Sequence, residues 1–396
     1  MKYAAECVLA LLALAIIAPH RADAIELYST DKLSLHASGY LQDQAQHTEG
    51  FFGEPFDRNQ ARIRPEFNAR IGDNLTGFYS HTLEMNIGSC LETLDYQFLK
   101  RLPPATYYDW DWTIEDNDRR HVRSSVYRAY MVYEEEQVRI VAGRQRVAWG
   151  TALFWNPTDL FNPVSPISLE PMEREGVDGL SAELMLKEFT YLNLVYGIGD
   201  KWSESQFAIR LKTTIKSLDV SVMAGKFQEN EVVGADFSGY VADGSLYGEG
   251  TYTRTKTMSS GSEGDDYIRI SLGYQYSFSN SAAFAVEYYH NGGILTWEGD
   301  PYAPFPVDMF SDPLATFGRN FLGAMAGYDL TPLVRWDMTF IFDLDKGGIF
   351  LGPHVSYLAS GAITIEGGMQ AFGGEPEGEY ALMHDIFWVR LRYDLA

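Results

Sequence analysis

The sequence predicts an all-β protein: a transmembrane, antiparallel, up-and-down β-barrel of about eighteen strands, within a range of about 16 to 22. Three observations predict it: short segments in which apolar and polar residues alternate, an export signal before them, and connections that alternate between short and long. In the clearest segment, Val334, Trp336 and Phe340 fall on one face, and Arg335 and Asp337 fall on the other. Such a strand has one apolar and one polar face. In a membrane barrel the apolar face contacts lipid and the polar face lines the lumen.

The alternating segments recur at fairly even spacing along the chain. An even number of them is expected for a bacterial barrel made from a single chain. We place the predicted strands at 32–42, 61–71, 74–85, 123–134, 136–146, 174–184, 188–198, 204–213, 216–225, 231–241, 243–253, 265–276, 282–291, 318–328, 331–343, 347–357, 361–371 and 383–395.

The connections between these segments alternate in length. The short ones are mostly rich in Gly, Asn, Asp or Ser, as tight turns are. They fall at 72–74, 134–136, 186–188, 242–244, 278–280, 330–332 and 359–361, and the long ones include 43–60, 86–122, 147–173, 254–264 and 292–317. Tight turns on one side and long loops on the other are typical of outer-membrane barrels. A secreted propeller or lectin-like fold is the alternative, but no internal repeat supports it.

An export signal precedes the alternating segments. Lys2 supplies a basic start, residues 7–19 form an apolar run, and residues 22–24 fit a small-x-small cleavage site. The apolar run is too short to cross a bilayer as a helix. We therefore predict a secretory signal peptide at 1–24 and one barrel domain at 25–396, located in the bacterial outer membrane.

The composition agrees with a barrel and argues against nucleic acid as a partner. Tyr, Phe and Trp make up 14% of the chain, and barrels concentrate aromatic residues at both membrane interfaces. The net charge of -23 repels nucleic acid. Cys90 is the one cysteine beyond the signal, so it cannot form an internal disulfide. A reactive or partner-linked Cys90 is the alternative.

Arginines recur on the predicted lumen-facing sides of the strands. Closing a barrel makes the first strand the neighbour of the last, so arginines from both chain ends share one part of the wall. The functional interpretation is a basic patch on the lumen wall, which favours anions, whereas the acidic loops at the mouth favour cations. The alternative is a set of structural ion pairs with acids such as Glu66, Glu84, Glu134 and Glu366. The predicted pore wall consists of Arg62, Arg64, Arg70, Arg128, Arg144, Arg146, Arg390 and Arg392.

The most distinctive segment is the third long loop, residues 147–173. It is rich in apolar and aromatic residues and is broken by Pro157, Pro163 and Pro166, so it is a poor strand. An apolar loop needs burial, and the barrel interior is the nearest place. We expect it to fold inward as a constriction, with its acids facing the arginines across a narrow aqueous gap. A lid on the barrel rim is the alternative. The predicted constriction residues are Trp149, Trp155, Asn156, Asp159, Glu170 and Glu173.

A strand that ends in Gly143-Arg144-Gln145, followed by a long folded third loop, resembles the gram-negative porins. The resemblance implies passive diffusion of small hydrophilic solutes, contact with outer-membrane lipid and lipopolysaccharide, a third loop that constricts the pore, and a homotrimer. The Trp-Gly and Trp-Asn-Pro-Thr-Asp elements in residues 149–159 are more similar to uncharacterised porin-like barrels. Some of those accompany multihaem c-type cytochromes, so a barrel that sheathes such a cytochrome is the alternative function.

Catalysis has little support in the sequence. The eight histidines are scattered, none has metal-ligand spacing to Cys or His, and no CxxCH motif for covalent haem is present. We therefore predict a channel without catalytic residues, metal or cofactor. The acidic runs at 229–236, 263–266 and 300–312 are interpreted as solvated loops, with divalent-ion bridging of lipopolysaccharide as the alternative. A barrel with a filled, non-conducting lumen is a third hypothesis.

Overall fold

The computed structural model describes residues 24–50, 53–101, 106–174, 176–227, 229–256, 265–294, 312–381 and 383–395. The predicted signal peptide therefore lies outside the described residues, apart from Ala24. Most of the acidic runs at 263–266 and 300–312 lies outside them as well.

The described residues form one sheet of twenty strands, all paired antiparallel. The strands are β1 (Ile25–Ser29), β2 (Leu33–Glu49), β3 (Pro55–Ile71), β4 (Leu75–Ile87), β5 (Asp111–Asp116), β6 (His121–Glu135), β7 (Val138–Gln145), β8 (Val177–Lys187), β9 (Thr190–Gly197), β10 (Gln206–Ile215), β11 (Leu218–Phe227), β12 (Asn230–Val241), β13 (Gly244–Arg254), β14 (Tyr267–Ser277), β15 (Ala283–Asn291), β16 (Asn320–Thr331), β17 (Val334–Asp343), β18 (Gly348–Ser360), β19 (Ile363–Gly374) and β20 (Ile386–Leu395). Between β4 and β5 lie a 3₁₀ turn (Ser89–Glu92) and the short helix α1 (Leu94–Leu99). No helix in the described ranges is long and apolar enough to cross a bilayer.

Eighteen of these strands close into a barrel. β2 to β4 and β6 to β20 each pair with the next strand around the ring, and β20 pairs with β2 to complete it. The closing seam runs from the pair Gly39–Leu395 to the pair His47–Phe387. The predicted antiparallel barrel of eighteen strands is confirmed, and each predicted segment corresponds to one of these strands.

The two remaining strands extend the wall locally. β1 pairs with β2 at Ser34 to Ala37, just beyond the point where β20 ends. β5 pairs with β6 at residues 121–125, along the part of β6 that β7 does not reach because β7 pairs only from Ala129 onward. Both strands are too short to give a readable alternation, and the sequence did not predict them.

The connection expected at 43–60 is wrong. β2 continues to Glu49 and β3 begins at Pro55, so the two strands form a long hairpin. Polar residues stand on both faces of this hairpin: Gln42 and Gln44 on the inner face, and Asp43 on the outer face, where Asn59 donates a hydrogen bond to it at 3.1 Å. A strand without an apolar face carries no period-two signal, so the sequence pattern resembled a polar loop.

The register separates lumen-facing from lipid-facing residues. On the outer face, Leu180, Val222 and Ile270 are 44 to 58% exposed, as expected for side chains that contact lipid. On the inner face, Arg210 and Glu287 are buried although they are charged. Buried charged side chains need partners: Arg210 pairs with Asp236 of the neighbouring wall at 2.9 Å, and Glu287 is bound by the loop between β7 and β8.

Candidate functional site: the inner loop and the arginine cavity

The segment between β7 and β8 lies inside the barrel; residues 146–174 are called the inner loop below. It departs from the wall after Gln145, two residues beyond Gly143, whose φ of +120° and close approach to the carbonyl of Ala129 exclude a side chain there. An outgoing limb, residues 146–166, packs in two buried clusters whose wall residues come from strands between β9 and β18. A return limb, residues 167–174, contacts β19, β20, β2 and β3.

Two buried carboxylates of the wall bind the outgoing limb. Glu287 of β15 accepts hydrogen bonds from the backbone N–H groups of Leu153, Phe154 and Trp155, at 2.8, 3.2 and 2.9 Å. Glu249 of β13 accepts one from the backbone N–H of residue 152 at 3.3 Å and one from a nearby hydroxyl, that of residue 158. The loop backbone thus supplies donors that these buried acids need.

Aromatic packing fixes the same limb. The ring of Trp155, 1% exposed, stacks on Tyr289 with centroids 5.0 Å apart and an interplanar angle of 4°. Phe321 and Phe350 belong to the same buried cluster. Earlier in the limb, Trp149 packs in a second buried cluster on the inner faces of β10 and β11. Stacked and tilted aromatic pairs of this kind add to the stabilisation from buried area.

The predicted constriction acid Asp159 braces the loop internally. It is 1% exposed, it accepts the backbone N–H of Trp149 at 3.3 Å, and it forms an ion pair with Arg174. Burial raises the pKa of Asp159 to about 7, although Arg174 opposes the shift. The neighbouring Asn156 closes a turn through its carbonyl, which accepts the backbone N–H of Asp159 at 3.0 Å. Asp159 therefore does not face the arginine wall.

The return limb is held by ion pairs with the arginine wall. Glu170 contacts Arg62 at 2.8 Å, and Glu173 contacts Arg64 at 2.6 Å. Burial alone would raise the pKa of Glu170, but the charge and hydrogen bonds of Arg62, together with Gln42 and Arg390, outweigh it, and the pKa lies below its usual value. The expected aqueous gap between the loop acids and these arginines is wrong, because the opposite charges are in direct, hydrogen-bonded contact.

Beside the return limb remains a cavity of about 260 Å³, called the arginine cavity below. Residues of β3 to β7 and of the end of the inner loop surround it. Six guanidinium groups and three carboxylates line it, and three further carboxylates, those of Asp159, Glu170 and Asp178, pair with its arginines from outside the lining. The charged lining residues are Arg62, Arg64, Arg123, Arg128, Arg144, Arg174, Glu84, Asp111 and Glu173.

Arg128 differs from the other arginines of the cavity. Its guanidinium donates to the backbone carbonyls of Tyr127, at 2.8 Å, and of Arg174. Within the described residues it has no carboxylate partner. The guanidinium carbon (Cζ) of Arg128 lies 4.0 Å from the centroid of the Tyr127 ring, and the Cζ atom of Arg64 lies 3.6 Å from the same centroid. Two guanidinium groups on one ring keep their charge close to the cavity.

The other predicted wall arginines divide into paired and exposed groups. Arg144 is 3% exposed and binds Asp178 through two hydrogen bonds of 2.8 and 2.9 Å. Arg390 contacts Glu366 at 2.9 Å, and Arg392 contacts Asp394 at 2.8 Å. For these residues the structural ion-pair interpretation describes the geometry. Arg70 and Arg146 are exposed.

Solved structures with the same overall architecture share very little sequence with this chain. OccK8 (OprE) from Pseudomonas aeruginosa superposes with a TM-score of 0.58 at 9% identity, over 91% of this chain and 98% of that chain. The outer membrane protein OprD from the same organism gives a TM-score of 0.57 at 10% identity, over 91% and 93%. OccAB4 from Acinetobacter baumannii gives 0.54 at 11% identity, over 92% and 98%. At such identities the similarity concerns the fold alone. No family model and no curated protein matches the chain.

The fold is that of an outer-membrane porin-like β-barrel. Its inner loop brings together predicted residues from three parts of the sequence, namely Glu170 and Glu173 with Arg62 and Arg64, and Glu170 with Arg390 at 3.9 Å. It does not bring Trp155 to the predicted wall arginines, and Asp159 pairs with Arg174 of the loop itself.

Sequence reasoning missed the residues that anchor the outgoing limb of this porin-like barrel. Glu249 and Glu287 stand on lumen-facing positions of β13 and β15, next to Tyr247 and Tyr289. Alternation identified those faces as polar. It did not reveal that loop backbone would be the partner, because backbone donors leave no trace in a sequence pattern. Lumen-facing acids without neighbouring arginines were the available signal.

Cys90 lies in the 3₁₀ turn that follows β4. Its side chain is fully buried, and burial raises the pKa of the Cys90 thiol to about 11. A reactive cysteine needs an accessible thiolate, so the geometry does not favour the reactive or partner-linked alternative.

Within the described residues no group of three His, Cys, Asp or Glu side chains could hold a metal ion.

Proposed function

We propose that this protein is a passive outer-membrane channel for small hydrophilic solutes, that the inner loop narrows its lumen, and that the arginine cavity favours anions. One observation carries the proposal: an inner loop bonded to opposite parts of the wall leaves a cavity of about 260 Å³ whose lining includes Arg128, a guanidinium group that has no carboxylate partner within the described residues. Charged groups at a narrow point of a pore determine which ions pass.

Recording from purified protein in a planar bilayer tests the channel directly. Stepwise conductance increases are expected, with a preference for chloride over potassium. A variant that lacks residues 151–166, rejoined by a short Gly-Ser linker, should give larger steps because the outgoing limb no longer occupies the lumen. Heat-modifiable migration on electrophoresis reports whether each barrel is intact. An intact wild-type barrel that produces no steps would contradict the proposal, and unchanged steps in the shortened variant would remove the loop from the mechanism.

The cytochrome sheath is not favoured by any specific contact. A sheath needs a lumen wide enough for a folded protein domain. Here the inner loop binds β13 and β15 on one side and β2 and β3 on the other, so the loop itself occupies the interior. Co-purification of a haem-staining protein with the full-length barrel would reopen this alternative.

A further inference from the structure

The tip of the inner loop, residues 152–155, docks far from the point where the loop leaves the wall. The loop begins after β7, whereas its tip binds β15, which is eight strands further around a ring of eighteen. This is nearly the opposite side of the lumen. The contact with β15 therefore decides whether the loop crosses the lumen or stays near β7, where it begins.

Glu287 is the centre of the docking contact. Its side chain is fully buried. One carboxylate oxygen accepts the N–H of Trp155, and the other accepts those of Leu153 and Phe154 together with the hydroxyl of Tyr247 at 3.1 Å. Three consecutive N–H groups that converge on one anion form an anion-binding concavity of backbone. Here the anion belongs to the wall and the concavity belongs to the loop.

The carboxylate depends on these donors because no cation replaces them. Among the residues that the structure describes, no Lys, Arg or His lies within ion-pair distance of Glu287 or of its neighbour Glu249. A buried carboxylate without a counter-ion requires hydrogen-bond donors. Withdrawal of the loop would remove three of the four donors to Glu287, so the wall favours the docked position.

Aromatic packing alone would not fix the same register. The stacking of Trp155 on Tyr289 tolerates sliding, whereas three sequential N–H groups fit one carboxylate in one register only. The side chain of Leu153 is 41% exposed although its backbone is bound, so the docked tip presents this side chain to the remaining opening.

We propose that Glu287 is the positioning residue that holds the tip of the inner loop across the lumen and thereby sets the width of the channel. The statement about width rests on the proposed function; the statement about position does not. Glu287 acts on solutes through the loop and touches none of them itself. Glu249 supports the same segment from the adjacent inner face of β13.

Glu287→Gln tests the position of the loop. Glutamine keeps the shape but replaces one acceptor oxygen by an amide that faces N–H groups as a second donor. Spin labels on cysteines at Leu153 and at Val222, an exposed residue of the outer face, report the distance between tip and wall; buried Cys90 should stay unlabelled. A narrow distance distribution in the parent should become broad in Glu287→Gln. Glu183→Gln is the matched control, because Glu183 lies on the inner face of β8 and pairs in register with Arg139 and Asn193.

The outcomes separate this inference from the proposed function. A distribution that stays narrow in Glu287→Gln, or that broadens equally in Glu183→Gln, would overturn the positioning role whether or not the barrel conducts. A broad distribution with conductance raised about 1.5-fold or more supports position and width together. A broad distribution in a conducting barrel with unchanged steps would overturn the role in width.

A second variant approaches the contact from the loop side. Leu153→Pro deletes the first of the three donors and leaves the wall unaltered. If Glu287→Gln fails to assemble, the steps of Leu153→Pro decide: larger and noisier steps support the anchor, and wild-type steps overturn it.

Discussion

Replacing Arg128 by glutamine removes from the arginine cavity a guanidinium group that has no carboxylate partner within the described residues. At about 6 Å in water, one unit charge changes the energy of a passing monovalent ion by about 0.7 kcal/mol. That is about threefold in local concentration, with opposite signs for chloride and potassium. The chloride-to-potassium permeability ratio should therefore fall about tenfold without screening, and about three- to fourfold near 0.1 M salt.

The reversal potential across a salt gradient in a planar bilayer measures this ratio. Arg139→Gln is the matched control, since Arg139 is half-exposed at the turn between β6 and β7, where it pairs with Glu134 at 3.5 Å. It removes the same charge from outside the cavity. If the ratio is unchanged in Arg128→Gln, or falls equally in both variants, the cavity does not select ions. A larger effect of Arg128→Gln at low ionic strength would further support the electrostatic reasoning.

Three more predictions concern stability and pH. Arg144→Gln should lower the free energy of unfolding by about 3 to 5 kcal/mol, because it leaves Asp178 buried without its partner; Arg144→Met combined with Asp178→Asn should recover most of the loss in denaturant titrations. Trp155→Ala should cost about 3 to 5 kcal/mol of docking, seen as faster hydrogen exchange in the inner loop with the barrel strands still protected. Burial raises the pKa of Asp159 to about 7. Between about pH 4 and 7, therefore, the native loop holds a proton on Asp159 that the unfolded chain has already released. Loop protection should therefore decrease as pH rises from about 4 to about 7 and level off above that, and Asp159→Asn should remove that dependence.

Each of these predictions has a contrary result. A double variant as unstable as Arg144→Gln would mean that the pair is not the source of the loss. Equal exchange of barrel and loop in Trp155→Ala would assign the packing to the whole fold. A pH dependence that persists in Asp159→Asn would point to another titrating group.

The barrel was predictable because lipid imposes a period of two on most strands. β17 shows this most clearly: Trp336, Met338 and Phe340 face outward, and Asp337 and Thr339 face inward. The β2–β3 hairpin escaped prediction where Asp43 and Asn59 make its outer face polar. A polar outer face removes the alternation of apolar and polar residues from which a strand is predicted.

The candidate site was predictable in its residues and much less in its contacts. The composition of residues 147–173 marked the loop as one that needs burial. Which wall residues would bind it followed from barrel geometry that the sequence does not display: Glu287 and Trp155 are separated by more than a hundred residues. Ion pairs such as Glu170 with Arg62 were anticipated as facing charges, but their distance depended on the path of the loop.

Glu170 also joins the two ends of the chain. Its carboxylate accepts from Gln42 of β2 at 2.6 Å and from Arg62 of β3 at 2.8 Å, and it lies 3.9 Å from Arg390 of β20. One side chain from the middle of the sequence thus spans the junction between the first and last strands of the ring from within. β2 and β20 are separated by more than three hundred residues, so their pairing carries the largest loop-closure cost in the ring. An internal tie at that place makes the arrival of the return limb and the sealing of the ring mutually supportive steps of assembly.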